Sequence, residues 1–277
     1  MTLIITSFTE TNQRPDNQDA MGTAVTAFGR LFVVCDGMGG ALGGAYAAQY
    51  VVKQLGEAIN SYRSRRDLST QQVIVGAVNR INLELYTLSQ EEPQRYCGMG
   101  TTLVGALETP AGFLIFHVGD SRAYVVDRKG VNCLTRDHTL VRMQVDAGMI
   151  PPEAARTHPK RSVLTRAVAT EASVEVDFHQ ELLPLLAGQS LLLLSDGMWS
   201  GISEQTMQSI VVSCSDPEAV PKRLLYAGVE GGSKDNATCV IVHRPAGDEQ
   251  APPRRRVIEL PMTVDIEEKR KRRWFFF

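Results

Sequence analysis

Short apolar runs of strand length recur in blocks along the first 244 residues, and two long stretches of helical periodicity separate them. Strands are expected at about 3–8, 20–28, 31–35, 101–107, 113–118, 123–127, 174–178, 191–194 and 238–243, many joined by tight Gly- or Asp-containing turns. Such turns suit antiparallel hairpins. The periodicity predicts one long helix over 45–59 and another over about 70–88, where Ile74, Ala77, Val78, Ile81, Leu85 and Leu88 share a stripe. Ser69 and Gln72 fit a capping box at the second helix's start. Shorter helices fit 140–147, 204–212 with Ser203 as cap, and 217–228 with Asp216 as cap. Strands in hairpin blocks and helices in separate pairs predict an α+β fold with helices covering antiparallel sheets.

The 277 residues are long enough to bury a sizeable core, and 29 basic against 31 acidic groups leave a net charge of −2. Nucleic acid is therefore not an expected partner, because its binders carry a clustered basic face. The five cysteines are widely scattered with no C-x-x-C pair, which predicts reduced, mostly core thiols rather than a zinc clip. The N-terminus lacks the basic region of a secretory signal, and the most apolar stretch, 182–194, is too short and interrupted to span a bilayer. A cytoplasmic location is expected.

Carboxylates recur where these apolar runs end. LFVVC runs into Asp36-Gly37-Met38-Gly39-Gly40, LLLLS into Asp196-Gly197-Met198, and FLIFHV into Gly119-Asp120-Ser121-Arg122. Asp235-Asn236 immediately precedes ATCVIV, and Asn17-Gln18-Asp19 precedes another run. Taken singly, Asp-Gly is a common turn dipeptide. Five aspartates at strand edges of one domain ask for more, because carboxylates brought close together repel or take up protons. A divalent cation removes that conflict, and an oxygen-only donor set selects hard ions such as Mg²⁺ or Mn²⁺.

Arg14-Pro15-Asp16-Asn17-Gln18-Asp19, Asp36-Gly37-Met38-Gly39-Gly40, Gly100-Thr101-Thr102, Gly119-Asp120-Ser121-Arg122, Thr135-Arg136-Asp137-His138, Ser195-Asp196-Gly197 and Asp235-Asn236 follow one another in this order. Together they resemble the motifs of the PPM, or type 2C, metal-dependent serine/threonine protein phosphatases, bacterial branch, over about residues 5–243. The resemblance implies a four-layer sandwich of two antiparallel β-sheets flanked by pairs of α-helices, with metals at one end. It implies two Mg²⁺ or Mn²⁺ ions per active site and a third, weaker one. By the same resemblance Asp36 bridges two ions, Asp196 and Asp235 complete the first site, and Asp19 with the Gly37 carbonyl serves the second. Asp120 then joins Asp196 at the third, and Arg14 binds phosphate through its planar fork. Hydrolysis of phosphoserine or phosphothreonine in proteins is expected by in-line attack of a hydroxide shared between the metals. A cognate Ser/Thr kinase and forkhead-associated-domain substrates are the implied partners.

Two positions depart from the pattern common among the eukaryotic members. Gln18 stands where many have Glu, and Met38 where some have a proton-donating His, so the acid is either a metal-bound water or an unidentified group, with His138 a candidate only by residue type. A non-catalytic phosphatase-like regulator is one alternative. A serine hydrolase using Ser121 is another, since Gly-Asp-Ser-Arg-Ala comes close to a nucleophile elbow. GMGGALGG lacks the third glycine of a dinucleotide fingerprint.

The organisation expected is a phosphatase domain over 1–244, with a flap at about 139–169 whose Arg156, His158, Lys160 and Arg161 receive phosphopeptide. Residues 245–277 read as a Pro-rich charged linker and a flexible tail. Its ending, Lys269 to Arg273 followed by Trp274 and three phenylalanines, can touch an anionic membrane surface or a partner protein.

Overall fold

In a computed structural model that describes residues 2–247, the chain opens with β1 (Ile4–Glu10), β2 (Asp19–Thr26) and β3 (Gly29–Met38). Two long helices follow, α1 (Ala41–Asn60) and α2 (Thr70–Glu91), then the single turn α3 (Pro93–Tyr96). The middle is a run of strands: β4 (Gly100–Thr101), β5 (Leu103–Thr109), β6 (Gly112–Val118), β7 (Arg122–Asp127) and β8 (Gly130–Cys133). After α4 (Leu140–Asp146) and α5 (Pro152–Ala155) come β9 (Asp177–Phe178) and β10 (Ser190–Leu194). The domain closes with α6 (Asp196–Trp199), α7 (Glu204–Ser213), α8 (Val220–Glu230) and β11 (Ala237–His243).

The strands form two antiparallel sheets, β1-β11-β10-β7-β8 and β2-β3-β5-β6-β9, with β4 paired to β3. The apolar runs are continuous because both faces of each sheet are covered, and the two-residue period sorts their side chains. In β3, Phe32 and Val34 point between the sheets with Val104, Ile115, Leu191, Leu193 and Val242. Leu31, Val33 and Cys35 point the other way, against α1 and α2. In β10 and β11, Leu192, Leu194, Cys239 and Ile241 pack under α7 and α8. The resulting layers are helix pair, sheet, sheet, helix pair, as expected from the resemblance.

Local chemistry sets the ends of the long helices. Ser69 and Gln72 make the expected capping box, and the buried face of α2 carries Ile74, Ala77, Val78, Ile81 and Leu85. Ser203 accepts from Thr206 N at the start of α7, and Asp216 accepts from Glu218 N ahead of α8. The stretch after Asp216 splits into a 3₁₀ turn, Pro217–Ala219, and α8. Helix α1 begins at Ala41, before the expected residue 45, so its glycines lie inside the helix. A side chain at Gly44 would strike the Gly37-Met38 backbone.

The expected strand 101–107 is broken at Thr102, and of 174–178 only Asp177 and Phe178 pair, at the edge beside β6. β8, which the alternation did not mark, is held by pairing with β7. All five cysteines are free; Cys35 and Cys239 are buried, whereas Cys97 is exposed and Cys133 and Cys214 are half-buried, so fewer are core thiols than expected. No helix among the described residues is long and apolar enough to cross a membrane. Of the expected tail, 245–277, residues 248–277 lie outside the described residues.

Leu193 is fully buried between the sheets. Leu193→Ala is expected to cost about 3 kcal/mol through lost burial and a cavity, read as a lower urea midpoint at unchanged slope. Leu83→Ala, on the exposed side of α2 where Leu83 is 51% exposed, is expected to change stability by less than about 0.5 kcal/mol.

Candidate metal centre

Antiparallel pairing of β2 with β3 places Asp19 directly opposite Asp36. Like charges at such a position destabilise a ladder, so this register has to be held by something else. The Asp36 end of β3 is held through its backbone: its N–H donates to Thr102 Oγ1 (2.9 Å), and its carbonyl accepts from Thr102 N (2.8 Å) and Thr101 Oγ1 (3.0 Å). At Gly37 the chain passes so close to Gln18 and Gly44 that a Cβ would fall on their carbonyls. Only glycine fits there.

Asp196 opens α6 where β10 ends, and Asp235 immediately precedes Asn236 and β11. Asn236 pins the loop that carries Arg14: its Oδ1 accepts from Gln18 N (2.9 Å), and its Nδ2 donates to the carbonyls of Thr11 and Asp16 (2.9 Å each). Asp120 follows Gly119, which has a φ of +99° and leaves no room for a Cβ against Thr102. The carbonyl of Asp120 accepts from Trp199 Nε1 at 3.2 Å.

These elements enclose a cleft of about 370 Å³. Arg14, Asp36, Gly37, Asp120, Asp196 and Asp235 line it, beside Gln18, Met38 and Asn236. Four of the five expected aspartates thus share one cavity. Asp19 lies behind it, 7% exposed, with Oδ2 accepting from Ser195 Oγ at 2.8 Å.

The electrostatics follow from that crowding. Burial, then the charges of Asp19, Asp196, Asp120 and Asp235, push the Asp36 carboxyl well above the usual range. Burial and Asp196 do the same to Asp120. Burial raises Asp19 to about 7 despite its hydroxyl bonds, and burial with Asp235 raises Asp196 to about 6. Arg14 is the one cation among the described residues that line the cleft, and its Nη2 donates to Asp235 Oδ2 at 2.6 Å. One guanidinium does not neutralise this many carboxylates.

Two buried oxygens, Asp19 Oδ1 and Asp196 Oδ1, have no hydrogen-bond partner among the described residues. Unpaired buried carboxylate oxygens are costly. Asp196 Oδ1 at the cleft and Asp19 Oδ1 just behind it are oxygen donors of the kind a hard divalent cation takes. The Gln18 amide, oriented so that its nitrogen faces Gly37 and Gly40, donates to both carbonyls at 3.2 Å. It adds no charge, so the anionic character at this end rests on the aspartates.

Two positions considered for chemistry lie elsewhere. Ser121 is fully buried with its hydroxyl bonded to Thr102 Oγ1 at 2.6 Å, so it is no exposed nucleophile and the serine-hydrolase alternative fails. His138 does not line the cleft; burial, then His117, lowers it to about 4. A neutral imidazole outside the cleft is not the proton donor. With His117 and Asp177, His138 forms a second group whose ligand-type atoms lie within 4.8 Å of one another. Hydrogen bonds already use most of them, and Arg166 Nη1 stands 2.6 Å from Asp177 Oδ1. That cation makes the aspartate cleft the better metal centre.

Asn236, Thr102 and Ser195 fall within the motifs and Trp199 does not, but none of the four carries in the sequence a sign of the bond it makes. Each acts through a partner remote in the chain, as in Trp199 to Asp120 and Ser195 to Asp19.

Comparisons with known proteins agree with this geometry. The family model described as protein phosphatase 2C matches residues 10–219. The chain is 32% identical over 218 residues to the serine/threonine phosphatase stp of Listeria monocytogenes, covering 77% of this chain and 84% of that protein. It is similar to the crystal structure of serine/threonine phosphatase Stp1 from Staphylococcus aureus, with a TM-score of 0.78, 32% identity and coverage of 88% and 95%. It is also similar to the catalytic domain of the serine/threonine protein phosphatase PstP solved with two manganese ions, with a TM-score of 0.70, 26% identity and coverage of 87% and 97%. The chain belongs to the protein phosphatase 2C family, the metal-dependent serine/threonine protein phosphatases.

Proposed function

We propose that this chain removes phosphate from phosphoserine and phosphothreonine in proteins, using two Mg²⁺ or Mn²⁺ ions held in the aspartate cleft. The observation that carries the reading is the convergence of Asp36, Asp120, Asp196 and Asp235 on one cavity with Arg14 at its edge. Asp36 would serve both ions, Asp196 and Asp235 the first, and the Gly37 carbonyl the second. Asp19, across the ladder from Asp36, would serve that second site with the Gly37 carbonyl, from behind the cleft wall. Asp120 with Asp196 would hold a third, weaker ion. When bound, such a pair of ions supplies an acidified water and neutralises phosphate charge.

The chain's own residues do the positioning. Arg14 is held above its usual range by its bond to Asp235, then by that carboxylate's charge, and stays protonated throughout. One fork of its guanidinium is anchored on Asp235, and the remaining N–H groups are free in type to bind phosphate oxygens. The Asn236 bonds to Gln18, Thr11 and Asp16 fix the loop that sets where that fork points. The Thr101 and Thr102 bonds keep Asp36 from swinging as charge in the cleft changes.

Residues 139–169 act as a flap for protein substrate. Leu140 N donates to Val163 O at 2.8 Å, closing the segment on itself, while Ser162 and Leu164 reach the cleft wall. Exposed Arg156, Lys160 and Arg161, with half-buried His158, sit on the same segment and suit an anionic phosphopeptide. A Ser/Thr kinase and forkhead-associated-domain proteins are the partners this activity calls for.

Asp36→Asn is expected to abolish Mn²⁺-dependent release of phosphate from phosphoserine and phosphothreonine peptides, a loss of at least about 10²-fold. A variant as fast as its parent would end the reading. Because Asp19 is raised to about 7 and Asp196 to about 6, Mn²⁺ binding beside them is expected to expel protons. Calorimetry in buffers of different ionisation enthalpy should show proton release at about pH 6 that shrinks towards about pH 8, with affinity rising over the same range. Changing Arg156, His158, Lys160 and Arg161 together to Ala should slow phosphopeptide hydrolysis several-fold while p-nitrophenyl phosphate is hydrolysed at the parental rate. Equal losses on both substrates would remove the flap's role.

A further inference from the structure

One buried polar group of this domain has no task in the chemistry above: the His117–His138–Asp177–Arg166 cluster beside the Gly119-Asp120 turn. The rings of His117 and His138 stack with centroids 4.6 Å apart. His138 grips Gly119 twice. Its backbone N–H donates to Gly119 O (3.0 Å), and its Nδ1 accepts from Gly119 N (3.0 Å). Because Nδ1 accepts from a backbone N–H, the ring proton sits on Nε2, which donates to Asp177 Oδ2 at 3.1 Å.

The outer end of the cluster orients the ring. Asp177 lies on edge strand β9, in register with His117. Arg166 donates to its Oδ1 from Nη1 (2.6 Å) and to Glu175 Oε2 from Nη2 (2.9 Å). The Asp177 carboxylate, gripped by Arg166, therefore selects the tautomer of His138 that leaves Nδ1 free to accept. Thr165, next to Arg166, also donates its N–H to His138 O at 2.8 Å.

The turn needs this support because it is crowded and only glycine adopts its backbone freely. Gly119 has a positive φ, and the residue it delivers, Asp120, is a buried carboxyl repelled by Asp196. Trp199 holds the far side through Asp120 O, and Ser121 is tied to Thr102. His138 supplies the acceptor on the near side, and without it the Gly119 N–H would be a buried donor with no partner.

We propose that His138 is a positioning residue: its unprotonated Nδ1, kept so by Asp177 and Arg166, clamps the Gly119-Asp120 turn and sets Asp120 against Asp196. The importance of that placement rests on the metal-dependent reading above; the clamp itself does not.

Two isosteric variants separate the clamp from bulk. In His138→Asn the side-chain oxygen replaces Nδ1 and keeps the acceptor, whereas His138→Gln places its amide near Nε2 and loses it. In EDTA-treated full-length protein, amide exchange at Gly119 is expected to stay within about threefold of the parent in His138→Asn and to speed up at least about tenfold in His138→Gln. Asp177→Ala, at the half-exposed end of the cluster, should accelerate Gly119 exchange by a smaller factor. Mn²⁺ titration followed by electron paramagnetic resonance should then show the weakest-bound ion losing about tenfold in affinity in His138→Gln, with His138→Asn close to the parent. Equal behaviour of the Asn and Gln variants, or Gly119 exchange unmoved by Asp177→Ala, would overturn the proposal. The Asp177→Ala measurement decides even where both His138 variants fail to fold. A parent that binds no Mn²⁺ would instead overturn the functional reading, and the metal-free exchange data would still judge the clamp.

Discussion

Mutual repulsion among buried carboxylates is the constraint around which this domain is organised. Asp19 and Asp36 face each other across one ladder, and Asp120, Asp196 and Asp235 arrive from other strand ends to act on the same space. Packing alone does not stabilise such an arrangement, because desolvation disfavours each charge and the neighbours compound it. The cost of the cluster is lowered by the Ser195 bond to Asp19 and by the Arg14 pair with Asp235. A site kept under this tension is ready for divalent cations, which relieve it.

The four layers supply rigidity, and a set of small polar bonds supplies aim. Apolar side chains between and outside the sheets fix where strands end to within the tolerance of packing. The remaining precision comes from Thr102 on Asp36, Asn236 on the Arg14 loop, Trp199 on Asp120 and His138 on Gly119. Each bond joins a backbone group near the cleft to a side chain rooted in a different element. The cleft's geometry is thereby tied to the relation between sheets, and phosphoryl transfer, which relies on positioning and charge, benefits from that stiffness.

Much of the fold was legible because its signals are local. Runs such as LFVVC and LLLLS mark strands covered on both faces, and Ser69 with Gln72 marks the start of α2 through a bond three residues long. Less legible were α1, whose first turn contains Gly43 and Gly44, and β8, a short polar strand held by its partner. In the cleft, four of the five aspartates singled out by the motif order line one cavity, with Asp19 behind it, but residue type alone left His138 available as an acid. Its ring instead faces Asp177, which is 39 residues away.

The sequence by itself determined the residue chemistry: which segments are strand or helix, which ends carry aspartate, and that the donor set is all oxygen. Tertiary structure decided who meets whom. It paired β1 with β11 from opposite ends of the domain, set Asp19 behind the cleft rather than on its wall, and turned His138 into a backbone clamp. The physical reason is range: periodicity and capping act over a few residues and are written in neighbours, whereas pairing across hundreds of residues exists only once two sheets close on a shared core.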